Sequence, residues 1–173
     1  MTQFDYSGTE LDVFRHAVNW KRYWADAISA YVGSEVLDVG AGIGATAVNL
    51  RQHACRKWVE LEPDARLAGR IEQLRESGEI PAHFEVRNGS TSELPSDELF
   101  DTVLYIDVLE HIEDDRGELE RAVGHLVPGG HVVVVGDEDR GGADRALDLT
   151  QFALHLLAQL GVEVGERLVE QEQ

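Results

Sequence analysis

Apolar positions in this chain switch between two rhythms. From Glu10 to Tyr31 they recur at helical spacing, with Leu11, Phe14, Val18, Ala25 and Ile28 in phase and Trp20 and Trp24 between them. Thr9 suits the N-cap of that helix and Gly33 its stop. Beyond Gly33, short apolar runs alternate with helical stretches. Strands are predicted at 35–39, 57–61, 83–87, 100–106 and 131–135, with a sixth at 162–169. Helices are predicted at 45–52, 64–77, 114–126 and 146–160, the third of them stopped by Pro128-Gly129-Gly130.

Strands alternating with helices build βαβ units, and these make a mostly parallel sheet covered on both faces. The expected fold is therefore α/β, a Rossmann-like doubly wound sheet in a three-layer α/β/α arrangement, preceded by an N-terminal helix. Residues 1–34 are expected to form a helical cap and 35–173 the α/β domain, within one compact unit. Right-handed crossovers bring all strand C-terminal ends to one edge, and ligands bind there at the switch in strand order. The segments worth reading for chemistry are thus 38–45, 60–64, 88–91, 105–111 and 136–140.

Composition narrows the partners. A length of 173 residues suits one core, and a net charge of −18 argues against nucleic acid or an anionic membrane as partner, since both draw on Lys and Arg. No run approaches the roughly 20 apolar residues of a membrane helix. Met1 to Gly8 carries no basic start followed by an apolar stretch, so no secretory signal is predicted and a cytoplasmic location is expected. The single cysteine, Cys55, excludes an internal disulfide, and no Cys/His spacing suggests a metal.

The first strand ends in Asp38-Val39-Gly40-Ala41-Gly42-Ile43-Gly44-Ala45. Glycines there permit a tight turn and let the backbone meet a ligand with no Cβ in the way. Gly40, Gly42 and Ala45 also satisfy the dinucleotide fingerprint, with Glu62 about where that motif wants an acid. The loop alone therefore fits either a nicotinamide dinucleotide or S-adenosyl-L-methionine. Asp38 tips the balance: a carboxylate just before the turn would repel a pyrophosphate but would help hold an ammonium group.

After the second strand, Glu60-Leu61-Glu62-Pro63-Asp64 supplies three carboxylates. Period-2 alternation puts Glu60 and Glu62 on one side, with Glu62 nearer the strand end. A carboxylate there can accept both ribose hydroxyls of an adenosine. Pro63 would fix the chain beneath the base, and Asp64 reads as the N-cap of the next helix. Gly89 and Ser90, after the third strand, fit either an adenine edge or a plain surface turn. At the end of the fourth strand, Ile106 and Asp107 precede Glu110 and His111. His111 suits a general base and suits equally a helix-end residue that orients a neighbour.

Taken together, VLDVGAGIG at 36–44, VELEPD at 59–64, FDTVLYIDVLEHIED at 100–114 and LVPGGHVVVV at 126–135 resemble the class I S-adenosylmethionine-dependent methyltransferase family. The resemblance implies that Gly40, Ala41, Gly42 and Gly44 approach the methionine part of the cofactor. It implies that Asp38 holds the amino group and Glu62 the ribose hydroxyls. Pro63, Gly89 and Ser90 would lie by the adenine, and Ile106 and Asp107 would line the cofactor floor. Trp20, Tyr23 and Trp24 would close over it from the N-terminal helix, or simply pack that helix. Ser90 departs from the family, many of whose members carry an acid there. The 38 residues after Val135 supply one helix and one strand, which puts the family's seventh strand in question.

The function expected is in-line methyl transfer from S-adenosyl-L-methionine to a small-molecule acceptor, with His111 as base where one is needed. The alternatives are a cofactor-binding module without turnover and a nicotinamide-dependent oxidoreductase.

Overall fold

Among the described residues every strand of the sheet runs in the same direction. The computed structural model describes residues 25–136, and within them five parallel strands stand in the order β3-β2-β1-β4-β5. They are β1 (Glu35–Val39), β2 (Lys57–Glu62), β3 (Phe84–Asn88), β4 (Phe100–Ile106) and β5 (Leu126–Val135). Three helices accompany them, α1 (Ala45–Leu50), α2 (Ala65–Glu76) and α3 (Asp115–Gly124). The order reverses between β1 and β4, so the loops after those two strands flank the switch point.

Two apolar clusters set the layers. Val36, Trp58, Phe84 and Leu104 project to one face, where Ala47 and Leu50 of α1 and Ile71 of α2 cover them. Leu37, Val39, Val59, Leu61, Val103 and Tyr105 project to the other, against Leu119, Ala122 and Val123 of α3. This is the period-2 pattern of strands buried on both faces. On the first face Trp58 and Phe84 are register partners whose rings stack at 4.9 Å. Ala25 and Ile28, in a helical turn at residues 25–28, and Val32, just after a 3-10 turn at Ser29–Tyr31, are buried in the same cluster. No helix among the described residues is long and apolar enough to cross a membrane.

At the opposite edge of the sheet from the switch-point loops, Asp101 ties the start of β1 to β4. Its Oδ2 accepts the backbone N–H groups of Ser34 and Glu35 at 2.8 and 2.9 Å. Thr102 completes the tie by accepting from Gly33 N at 2.9 Å.

One expectation is corrected. Helix α3 ends at Gly124, with His125 as its C-cap, and Pro128-Gly129-Gly130 lies inside β5 rather than in a helix-ending loop. The pairing of β4 with β5 shifts register between Phe100 and Thr102, and Gly129 takes a φ of 81°. A Cβ on Gly130 would stand 2.9 Å from the Asp101 carbonyl oxygen, so the close strand approach needs glycine there. The tripeptide is an irregularity built into the strand. The predicted elements at 146–160 and 162–169, and Trp20, Tyr23 and Trp24, lie outside the described residues.

Candidate cofactor site

The turn after β1 is anchored to β2. The N–H groups of Gly40 and Ala41 both donate to the Leu61 carbonyl, at 2.8 and 3.2 Å. Gly42 N then donates to Oε2 of Glu62 at 2.7 Å, while Oε1 accepts from Asp64 N at 2.8 Å. One carboxylate thus fixes the glycine loop and the start of the next loop together. Burial pushes the Glu62 carboxyl above its ordinary range, against the pull of the two amides. Asp64 caps α2 as its sequence position predicts, accepting from Arg66 N and Leu67 N.

The glycines differ in what they face. Gly40, Gly42 and Gly44 all have positive φ, of 68°, 58° and 76°. A Cβ on Gly40 would come within 2.8 Å of both Val108 methyl groups, so the loop after β4 packs directly on it. One on Gly42 would meet nothing nearer than the Gly40 carbonyl oxygen at 3.8 Å, and this glycine borders open space. One on Gly44 would lie 2.9 Å from Leu74 Cδ1, so this position lets α1 and α2 come together.

Below the loop, Asp38 is 1% exposed and Glu60, its register partner on β2, is fully buried. Burial drives the Asp38 carboxyl up to about 7, and drives Glu60 well above the carboxylate range, with the Asp38 charge adding to it. Alternation along β2 sets Glu60 on the Glu62 side of the strand and assigns it no role. Its signal in the sequence is the run of carboxylates, and the pairing with Asp38 depends on strand register.

On the other side of the switch point, β4 ends at Ile106, and Asp107 takes a φ of 57°, the one non-glycine residue with positive φ among those described. Asp is among the few side chains that tolerate this region, and such residues gather at functional sites. Its N–H donates to the Val135 carbonyl at 2.6 Å. Leu109–His111 forms a 3-10 turn, on which the His111 side chain is exposed. Glu110 turns toward the end of β5, where a Cβ on Gly136 would meet its Oε2 at 3.4 Å.

The loop after β3 joins the same edge. Gly89 N donates to the Glu62 carbonyl at 3.1 Å, and Asn88 Nδ2 reaches the carbonyls of Glu62 and Pro63 at 2.9 and 3.0 Å. Ser90 and Glu93 form a capping box, with Ser90 N donating to Glu93 Oε2 at 2.8 Å. Thr91 is tied down from behind, its hydroxyl donating to Glu118 of α3 at 2.9 Å. The segments after β1, β2, β3 and β4 therefore meet along one edge, as their positions in sequence predict.

A family model described as a methyltransferase domain matches residues 14–158. The chain belongs to that methyltransferase family. Among curated relatives, nodulation protein S of Rhizobium tropici is 32% identical over 105 residues, covering 58% of this chain and 42% of that protein. Demethylmenaquinone methyltransferase of Tropheryma whipplei is 31% identical over 132 residues, covering 75% of this chain and 53% of that one. The chain spans about half the length of these relatives. Among solved structures, N-methyltransferase NodS of Bradyrhizobium japonicum, in complex with S-adenosyl-L-homocysteine, superposes with a TM-score of 0.64 at 22% identity, covering 82% of this chain and 73% of that one. That likeness shows the shared Rossmann-like fold.

Proposed function

We propose that this methyltransferase-family chain binds S-adenosyl-L-methionine across the glycine loop and Glu62 and transfers its methyl group to a small molecule. The observation that carries the reading is the clamp of Gly42 on Glu62 across the C-terminal ends of β1 and β2, beside the reversal of strand order between β1 and β4. The residues present fit the cofactor. Gly42 leaves a cradle that a side chain would fill. Each Glu62 oxygen accepts one backbone N–H and keeps lone-pair capacity for a ribose hydroxyl.

In this reading Gly40, Ala41 and Gly42 line the methionine part with backbone, and Gly44 sets the loop against the helices behind it. Asp38 supplies charge for the amino group. Glu62 accepts the ribose hydroxyls, Pro63, Gly89 and Ser90 flank the adenine, and Ile106 and Asp107 form the floor. When bound, the cofactor supplies a methyl group already activated on a sulfonium. The protein's own task is then alignment of the acceptor with that carbon. His111 takes a proton from an oxygen or nitrogen acceptor where the chemistry requires it. A small acceptor is supported by the names of the relatives, demethylmenaquinone methyltransferase among them. The net charge of −18 disfavours a nucleic acid.

Calorimetry with S-adenosyl-L-homocysteine tests the reading. Wild type should bind it and not NADH, and Glu62→Ala should weaken binding by about 2–4 kcal/mol through loss of charge-assisted bonds. NADH binding in preference would mean an oxidoreductase. Tight binding with no transfer to a broad acceptor panel would mean a binding module. For His111, a pH–rate profile unchanged in His111→Gln would remove it from the mechanism.

A further inference from the structure

Asp38 and Glu60 lie side by side on neighbouring strands, both closed off from water. Each has one conventional partner. Asp38 is hydrogen-bonded to Thr46 at the start of α1, and Glu60 Oε1 accepts the indole N–H of Trp58. The other oxygens, Asp38 Oδ2 and Glu60 Oε2, are buried and have no donor. Two ionised carboxylates so placed would repel each other with no water between them, and each would leave a lone pair stranded. Both difficulties disappear if one group keeps a proton, because a protonated carboxyl is a donor and its neighbour can accept.

Their surroundings decide which group keeps it. Both are closed off from water, which raises both carboxyls. The hydrogen bond between them lowers Asp38 and raises Glu60, and the Asp38 charge adds to the rise in Glu60 against the opposing pull of the Trp58 indole. Asp38 carries the Thr46 bond and stands two residues from the glycine loop. Among the described residues, the charged groups acting on the pair are its own two members and Glu62 of β2. Thr46 from α1 and Trp58 from β2 are neutral donors, and the β4 residue beside Asp38 is the apolar Leu104.

We propose that Glu60 keeps its proton and donates it to Asp38, so that the pair holds one negative charge beneath the glycine loop for the amino group of the cofactor. Glu60 is then a positioning residue that acts through Asp38. The inference rests on the S-adenosylmethionine reading for its second half only, since the proton itself is a property of the unliganded protein.

Two experiments test it. Infrared spectra of the unliganded protein at pH 8 should show a carboxylic-acid carbonyl band that is missing in Glu60→Gln; no such band, or a band that survives the substitution, overturns the proposal. The second reads S-adenosyl-L-homocysteine affinity against pH. Wild-type affinity should fall about tenfold from pH 8 to pH 6 as Asp38, which titrates at about 7, takes up a second proton. Glu60→Leu removes the donor, and should move the midpoint upward by about one pH unit or more. Glu60→Gln offers an N–H to Asp38 and a carbonyl to Trp58, and should restore the wild-type midpoint. If Glu60 were ionised, the same substitution would remove a charge and drop the midpoint well below 7, which would overturn the proposal. If the homocysteine compound fails to bind at all, the cofactor reading falls and the infrared result still decides the proton.

Discussion

The amide of Gly42 donates to Oε2 of Glu62 across the gap between β1 and β2. This bond couples two segments that the chain separates by 20 residues, and makes the shape of the glycine loop depend on a carboxylate rather than on the glycines alone. Because Oε1 of the same group holds Asp64 N, the N-terminus of α2 is set by the same side chain.

Glu62→Gln should therefore disturb the loop even without ligand. The amide can offer its carbonyl oxygen to Gly42 or to Asp64, and its NH2 then faces the other N–H, donor against donor. One buried amide left unmatched costs about 1–3 kcal/mol. Urea denaturation of the unliganded protein measures this directly. A variant as stable as wild type would mean that Glu62 does not hold the loop.

Gly40 and Gly78 share a left-handed backbone and differ in surroundings. Their φ values are 68° and 78°, yet a Cβ on Gly78 meets nothing within 4 Å, whereas one on Gly40 runs into Val108. Gly78→Ala should cost about 1–2 kcal/mol, the backbone penalty alone. Gly40→Ala adds the displacement of Val108 in the loop after β4 and should cost about 2–4 kcal/mol, with S-adenosyl-L-homocysteine binding lost as well. Equal costs for the two, with binding intact in both, would mean that the contact with Val108 is unimportant.

How far the sequence reaches can be seen in three places. The position of Glu62 is legible, since alternation sets it toward the end of the second strand and β2 does end on it, but its bonds to the Gly42 and Asp64 amides are not. The partnership of Asp38 with Glu60 is not, since alternation gives the face of each strand but not the register between strands. The Pro128-Gly129-Gly130 stretch misleads because breaker residues mark an end to regular structure only when nothing pairs with them. Here β4 runs alongside, and Gly130 is needed because the Asp101 carbonyl comes so near.

Glu118 joins three elements behind the site. It accepts the Tyr105 hydroxyl at 2.8 Å and the Thr91 hydroxyl at 2.9 Å, and pairs with Arg121 at 3.1 Å. Burial and the Glu118 charge both push the Tyr105 hydroxyl upward, so it keeps its proton and remains the donor. Tyr105→Phe removes one neutral donor and should cost about 1–2 kcal/mol, while Glu118→Leu strands two buried hydroxyls and should cost about 2–5 kcal/mol. Chemical denaturation separates the two values. A Glu118→Leu protein as stable as wild type would show that the cluster is replaceable by packing.

The buried carboxyls give an unusual dependence of stability on pH. Asp38 is raised from 3.8 to about 7, so between those values the folded protein binds a proton that the unfolded chain has released. Stability conferred by that proton is complete at the acid end of the window and is lost as pH climbs through 7. Glu98 acts in the opposite sense. Held by Arg87 and Lys57, it is lowered from 4.5 to about 2, and its contribution is present above 4.5 and lost as pH falls through 2. The two together place the maximum on the acid side of neutrality, near pH 4–5. Thermal unfolding of the unliganded protein from pH 3 to pH 8 should show the midpoint rising and then falling across that range. Asp38→Asn removes one of the two titrating groups and should make the fall between pH 5 and 7 shallower, the remainder belonging to Glu60, which keeps its proton through that window, while leaving the acid limb, which belongs to Glu98, in place. A wild-type midpoint that climbed steadily to pH 8, or an Asp38→Asn profile with the same decline, would mean that Asp38 is ionised throughout and that its burial is offset by donors other than Glu60.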